Sequence, residues 1–256
     1  MSWTSLRNSR SPRRTSVEKI DFISNWIKDY ATKANVKSLV IGISGGIDSA
    51  VTSTLSAMTG LNTYVVTMPI LDHQVLNQRA INHVNWLKNK FSNIKYLDVN
   101  LSNVFNDFKN VLGDNNSEHG YANSQARLRM TTLYQVAASN NGIVVGTGNK
   151  VEDFGIGFYT KYGDGGVDIS PIADCLKTEV WDMAKELGIL DEIIEAKPTD
   201  GLWTDSRTDE DQVGLSYPEI EEAMLNENSK NRQKYLDIRK KSIHKMIPIP
   251  VCILPK

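Results

Sequence analysis

The sequence predicts an α/β fold, a doubly wound parallel sheet with helices on both faces, and three observations carry that expectation. Short apolar runs suited to buried strands alternate with stretches of helical apolar spacing through the first 146 residues, the pattern of a parallel sheet covered on both sides. The strand-like runs are apolar almost throughout, as strands buried on two faces must be. A Ser-Gly-Gly turn joins one of these runs to the next helix, and in open α/β sheets the carboxyl ends of the strands are where ligands sit.

Thr15-Ser16-Val17-Glu18 reads as a capping box opening an amphipathic helix on Ile20, Ile23, Trp26, Ile27 and Tyr30. Ser38 to Ile43 is the first strand, and Asp48 to Met58 is a helix stopped by Gly60. Thr63 to Met68 is the second strand, ending at Pro69. Leu76, Ala80, Val84 and Leu87 mark a helix, Ile94 to Val99 a strand, Ala122 to Ser139 a long helix and Ile143 to Gly146 a further buried strand. From Thr147 to Pro171 the chain is glycine-rich and polar, too long for a routine connection, which marks it as functional. Helices resume at Thr178 to Leu187, with Gly188 as the stop, and at Tyr217 to Met224 and Ser229 to Met246. The Pro-rich end, Pro248 to Pro255, is a surface strap or tail.

The 256 residues can bury a core as one large domain, and a hydrophobic content of 40% with 23% charged residues is that of a globular protein in water. There is no apolar run of membrane-spanning length and no signal-peptide core, so a cytoplasmic protein without a membrane partner is expected. Cys175 and Cys252 are too few for a disulfide framework or a cysteine-built metal site. The net charge of -1 gives no reason to expect a nucleic-acid partner. Charge is nevertheless uneven: residues 205 to 222 are acidic and 230 to 245 basic, either as two solvated helix faces or as surfaces turned to phosphate or to a second subunit. Arg7, Arg10, Arg13 and Arg14 lie in an N-terminal stretch, residues 1 to 14, expected to be a disordered tail ahead of one domain spanning 15 to 256.

Ile41-Gly42-Ile43-Ser44-Gly45-Gly46-Ile47-Asp48-Ser49 has the features of a phosphate cradle. Two glycines let the main chain approach a ligand, free N–H groups and the helix dipole favour an anion, and Ser44 and Ser49 add hydroxyls. No lysine follows, which excludes the Gly-x-x-x-x-Gly-Lys loop of ordinary kinases and GTPases. Asp48 at the loop's mouth and Glu152 beyond Thr147 are oxygen donors for a divalent cation bridging phosphates. Lys161 to Pro171 combines a cation, two acids and flexible backbone. It reads equally as a loop folding over a substrate, with ribose hydroxyls for Asp168 and an anion for Lys161, or as a wide hairpin.

The phosphate loop itself resembles that of ATP pyrophosphatases, which cleave ATP between the α and β phosphates. Together with Ala126-Arg127-Leu128-Arg129-Met130, Gly146 to Glu152, Phe158 to Asp168, Lys177-Thr178, Pro198-Thr199 and His244-Lys245, it makes the chain from about Glu18 to Lys245 similar to the NAD synthetase family. The resemblance implies an adenine nucleotide α-hydrolase-like, Rossmann-like fold. It implies adenylation of the carboxylate of deamido-NAD by ATP, then displacement of AMP by ammonia. By motif, Gly42, Ile43, Ser44, Gly45, Gly46, Ile47, Asp48, Ser49, Thr147, Lys177 and Thr199 would contact ATP, with Ser44, Asp48 and Lys177 at the chemistry. Asp48 and Glu152 would bind Mg2+, and Arg127, Lys161, Asp168, His244 and Lys245 would contact deamido-NAD. His244-Lys245 is followed by Met246 where the family pattern has a further basic residue. A homodimer with part of the acid site at the subunit interface is implied, and free or partner-derived ammonia, because 256 residues leave no room for the amidase domain of glutamine-dependent relatives. Another ATP pyrophosphatase acting on a different carbonyl, or a nucleotide sensor on the same fold, are the rival readings. The segment 197 to 213, with Gly201, Asp205 and Asp209, is expected to act as a lid.

Overall fold

The computed structural model describes residues 14–70, 74–199, 201–202 and 208–254. The expected tail lies outside these residues apart from Arg14, whose guanidinium sits 4.0 Å from the Phe22 ring centre. Asp205 of the 197–213 segment also lies outside them.

Helix α1 (Ser16–Lys33) opens with the capping box read from Thr15 and Glu18. Its inward stripe is Ile20, Ile23, Ile27 and Ala31, whereas Trp26 and Tyr30 are exposed: the buried face is narrower than the apolar spacing suggested. Strands β1 (Ser38–Gly42), β2 (Asn62–Thr67), β3 (Ile94–Asp98) and β4 (Gly142–Val144) form one parallel sheet in the order β3-β2-β1-β4. Parallel strands need crossovers, and here they are helices. Helices α2 (Ile47–Met58) and α3 (Gln74–Lys90) carry the chain outward from β1 to β3; α4 (Ser102–Leu112) and α5 (Glu118–Ser139) carry it back across to β4. Right-handed crossovers in opposite directions put the two helix sets on opposite faces.

The pleat sorts the core accordingly. Leu39, Ile41, Val65, Ile94 and Ile143 face α1, α2, α3 and the later helix α6 (Lys177–Leu187), while Val40, Val66 and Val144 face Phe105 of α4 and Met130, Leu133 and Ala137 of α5. The winding of the chain across the sheet reverses between β1 and β4, so the crevice for a ligand opens above that pair. A third cluster, built on Val151, Leu176, Tyr217, Ile220 and Tyr235, joins the π-helix Lys150–Ile156 to α8 (Asp209–Val213), α9 (Tyr217–Leu225) and α10 (Arg232–Met246). The four-residue α7 (Asp191–Ile194) follows α6.

The two charged segments are in part solvated, with Asp211, Glu222, Lys230, Lys240 and Lys241 exposed, and in part tie the fold together. In the acidic one, Asp211 and Glu219 complete capping boxes with Thr208 and Ser216, and Glu221 accepts from the Thr178 N–H and hydroxyl at 2.9 and 2.8 Å, holding the start of α6. In the basic one, Arg232 donates to the Ala223 carbonyl, Arg239 to Phe154 and Gly155, and Lys245 to Gly157 and Tyr159. Acids satisfy helix N-termini and bases satisfy orphan carbonyls.

Candidate active site

Above the carboxyl ends of the strands lies a cleft of 590 Å³. Its first wall is the turn between β1 and α2. Gly45 takes φ +84°, and a Cβ there would stand 2.4 Å from the Leu76 carbonyl oxygen, so only glycine lets the turn seat on α3. The Ser44 and Ser49 hydroxyls lie 3.1 Å apart, and Gly46 N–H donates to Ser44 Oγ at 3.2 Å. This wall is a small nest of donors at the N-terminus of α2, the arrangement that receives phosphate.

The second wall is set by Asn149, fully buried. Its Oδ1 accepts from the N–H groups of Val151 and Glu152, both at 3.0 Å, which starts the π-helix, and its Nδ2 donates to Asp48 Oδ1 at 3.2 Å. One amide thus fixes both carboxylate-bearing walls. Lys177, at the first turn of α6 and 2% exposed, closes the site: its Nζ lies 2.5 Å from Asp48 Oδ2 and 2.9 Å from Glu152 Oε1. The Tyr217 hydroxyl stands 2.5 Å from Glu152 Oε1 and 3.0 Å from Asp209 Oδ2.

These contacts set the charges. Burial alone would drive the Lys177 ammonium down, but Asp48 and Glu152 outweigh it and its pKa is raised. Burial would raise Glu152, yet Lys177 and the Tyr217 hydroxyl hold it below the usual range. In Asp48, burial outweighs Lys177 and the carboxyl is pushed up. Burial and the neighbouring carboxylates drive the Tyr217 hydroxyl far up, so it remains a donor. Asp153 adds another carboxylate; it fits only because residue 148 is glycine, where a Cβ would overlap its Oδ2, and no hydrogen bond reaches that carboxylate among the described residues. Asp164 accepts from Thr160 N–H at 2.9 Å, and desolvation inside the cleft pushes its carboxyl up to about 6. Cys175 is buried behind the site and burial pushes its thiol up to about 12, which removes it as a nucleophile.

The residues singled out from sequence divide into two groups. Gly42, Ile43, Ser44, Gly46, Ile47, Asp48, Ser49, Thr147, Glu152, Lys177, Thr199 and Lys245 line the cleft, and Gly45 supports its floor. Arg127, Lys161, Asp168 and His244 are not among its lining residues. Arg127 Nε donates to the Lys161 carbonyl at 3.1 Å and Lys161 Nζ to the His244 carbonyl at 3.5 Å, so these three meet on the outer side of α5. Asp168 accepts from the Tyr134 hydroxyl at 3.0 Å and from Val144 N–H at 2.8 Å, pinning the loop to β4. Sequence reasoning gave no individual role to Asn149, Tyr217, Asp153, Asp164 or Arg129, although Asn149, Asp164 and Arg129 lie within the motifs that carried the resemblance. Asn149 carried a signal as an Asx cap two residues before an apolar position; Tyr217 carried none, since its role depends on α9 packing back on the π-helix.

The family model described as NAD synthase matches residues 19–249. The chain is 41% identical over 237 residues to an NH(3)-dependent NAD(+) synthetase of Mesoplasma florum, spanning 89% of this chain and 93% of that protein. It is 39% identical to the one from Carboxydothermus hydrogenoformans, over 81% and 85% of the two chains. Among solved structures, an NMN synthetase from Francisella tularensis superposes with a TM-score of 0.85 at 31% identity, over 95% of this chain and 99% of that one. An NH3-dependent NAD synthetase from Campylobacter jejuni superposes with a TM-score of 0.76 at 22% identity, over 94% and 100%, a likeness of fold.

Proposed function

The chain belongs to the NAD synthase family, and from that premise we propose that it amidates deamido-NAD to NAD with ATP and ammonia, the observation that carries this reading being the Asp48–Lys177–Glu152 constellation beside the phosphate loop. It is an enzyme, a carbon–nitrogen ligase with ATP as co-substrate. In the first step a carboxylate oxygen of the acid attacks the α-phosphorus of ATP, the bond to the β-phosphate oxygen breaks and pyrophosphate leaves. In the second, ammonia attacks the acyl carbon, the carbon–oxygen bond to AMP breaks and a proton is lost. Neither step needs a protein nucleophile, which agrees with the inert Cys175. The protein's task is positioning and the stabilising of charge on the departing groups.

We assign Gly42 to Ser49, Thr147, Lys177 and Thr199 to ATP, with the Ser44 and Ser49 hydroxyls and the turn N–H groups holding the β and γ phosphates. Asp48 and Glu152 converge on the Lys177 ammonium, and their carboxylate oxygens are the hard donors a divalent cation takes, although among the described residues no group of three or more His, Cys, Asp or Glu side chains surrounds one metal position. Magnesium held by Asp48 and Glu152 would neutralise charge on the leaving pyrophosphate. Lys177 keeps the two carboxylates at one separation and shares their charge before ATP arrives. Arg127, Lys161, Asp168, His244 and Lys245 are assigned to the acid. The outer four lie beside Tyr134 and Tyr162, 38% and 59% exposed, which supports a homodimer in which this face meets a second copy. Residues 15–256 form one synthetase domain in this reading. Among the described residues no helix is long and apolar enough to cross a membrane, and we place the enzyme in the cytoplasm.

The Francisella likeness favours a second acceptor, the acid mononucleotide, whose amidation is the same chemistry at the same carboxylate. Incubation with ATP, magnesium, ammonium and either acid, with amide, AMP and pyrophosphate quantified together, tests both. Equal amounts of the three products with deamido-NAD are expected; kcat/KM for the mononucleotide at least tenfold higher would reassign the substrate, and AMP with neither amide would refute the synthetase reading.

A further inference from the structure

Among the α5 residues that line the cleft, His119, Asn123 and Met130 included, Arg129 is the arginine. Its Nε donates to the Met68 carbonyl at 3.1 Å, at the carboxyl end of β2, and among the described residues no other hydrogen bond engages its guanidinium, although the residue lines the cleft. Arg79 of α3 and Lys197 also line the cleft, whereas Lys177 is held by two carboxylates and Lys245 by the Gly157 and Tyr159 carbonyls, both at 2.7 Å. Asp164 is the acid that opposes the desolvation of Arg129, and it hydrogen-bonds to Thr160, whose hydroxyl donates to Asn123 of α5 at 2.7 Å. Arg129 therefore belongs with α5 and the 158–168 segment, on the side of the sheet opposite α2 and α3.

That side has a chemical meaning. Displacement at phosphorus is in line, so the attacking carboxylate approaches opposite the departing pyrophosphate. In the synthetase reading the pyrophosphate would sit at the N-terminus of α2, and the acid would then come from the α5 side. A partly desolvated guanidinium with four uncommitted N–H donors is suited to a bidentate grip on a phosphate or carboxylate. Building on the synthetase reading, we propose that Arg129 is a specificity-determining residue that binds an anionic group of the incoming acid substrate, not of ATP.

Steady-state kinetics and calorimetric titration with deamido-NAD and with the acid mononucleotide, on wild type, Arg129→Gln, Arg129→Lys and Arg127→Gln, test this. Loss of a charged hydrogen bond is worth about 1.5–3 kcal/mol, so Arg129→Gln is expected to raise KM and Kd for the acid about 10- to 100-fold while KM for ATP moves less than about threefold. Arg129→Lys, which keeps the charge and loses the fork, is expected between the two. Should Arg129→Gln fail to fold, Arg129→Lys decides by the same measure. An acid KM and Kd within twofold of wild type, or an equal rise in KM for ATP, overturns the proposal and leaves the synthetase reading standing. Wild type that amidates neither acid defeats the synthetase reading itself.

Discussion

Lys177 is more buried than any other charged side chain in the cleft, and its ammonium is compensated by two carboxylates that would otherwise face each other. Removing one member of a buried ionic group leaves the others uncompensated, typically at a cost of about 3–5 kcal/mol. Lys177→Met is expected to lower the unfolding free energy in urea by about that amount. Without the lysine, Asp48 and Glu152 must titrate above their unfolded values, so the variant's deficit is expected to shrink as pH falls from 8 to 5; an unchanged deficit would mean that the pair was never charged. His83 behaves in the opposite sense. It is fully buried, 3.0 Å from Ser53 Oγ between α2 and α3, and burial lowers its pKa to about 4. The folded state disfavours the proton, so His83 contributes stability that is complete above pH 6.5 and is lost as pH falls toward 4. Comparing wild type with His83→Gln by thermal melting across that window, the acid-induced loss is expected to be smaller in the variant by up to about 3 kcal/mol.

At the scale of elements, the basic face of α10 is a clamp on the π-helix. Arg239 takes the Phe154 and Gly155 carbonyls and Lys245 those of Gly157 and Tyr159, so the wide-pitched turn bearing Glu152 is held at its C-terminal end by cations and at its start by Asn149. Arg239→Gln is expected to keep the fold, to raise severalfold the magnesium concentration needed for half-maximal turnover, and to expose residues 150–160 to limited proteolysis; unaltered magnesium dependence would show that Asn149 suffices. This element was also the least legible in the sequence. Strands β1 and β2, helices α2, α5 and α6 and the phosphate turn were readable because apolar period, caps and glycines agree there. The π-helix has five-residue hydrogen bonds and no apolar period of its own, and appeared only as a long glycine-rich loop. Helix α4 was passed over: three asparagines weaken its propensity and only Phe105 is buried. The short α7 and α8, four and five residues, are little more than one helical turn, too short for an apolar period to show. The same limit governed the site. Asp48 and the serines were visible through local spacing, whereas Tyr217, Asp164 and Arg129 acquire their places only when distant elements meet.

For the whole molecule, the cleft draws one wall from α2 and α3, another from α5 and the 158–168 segment, and its closure from α6 and α8. A ligand touching all of these should stabilise the fold as a unit. ATP with magnesium at 100 times its Kd is expected to add about 2.7 kcal/mol, read as one cooperative upward shift in melting temperature and not as protection of the first half alone. The exposed apolar side chains of α4, Val104 at 51% and Val111 at 86%, together with Tyr134 and Tyr162, bear on assembly. Sedimentation velocity is expected to give a dimer, and charge introduced by Tyr134→Glu to shift it toward monomer.

The spacing of Asp48 and Lys177, 129 positions apart along the chain, also orders events in time. The phosphate turn and its helix can form early, from neighbouring residues, but the central strand β1 waits for residues 142–144 and the aspartate waits longer still for its counter-ion. During synthesis or refolding, a half-made chain would carry a phosphate turn without the charges that complete it. Competence therefore arrives last: in a refolding experiment, helical signal should recover ahead of turnover, and the interval between them would time the docking of α6 on the sheet.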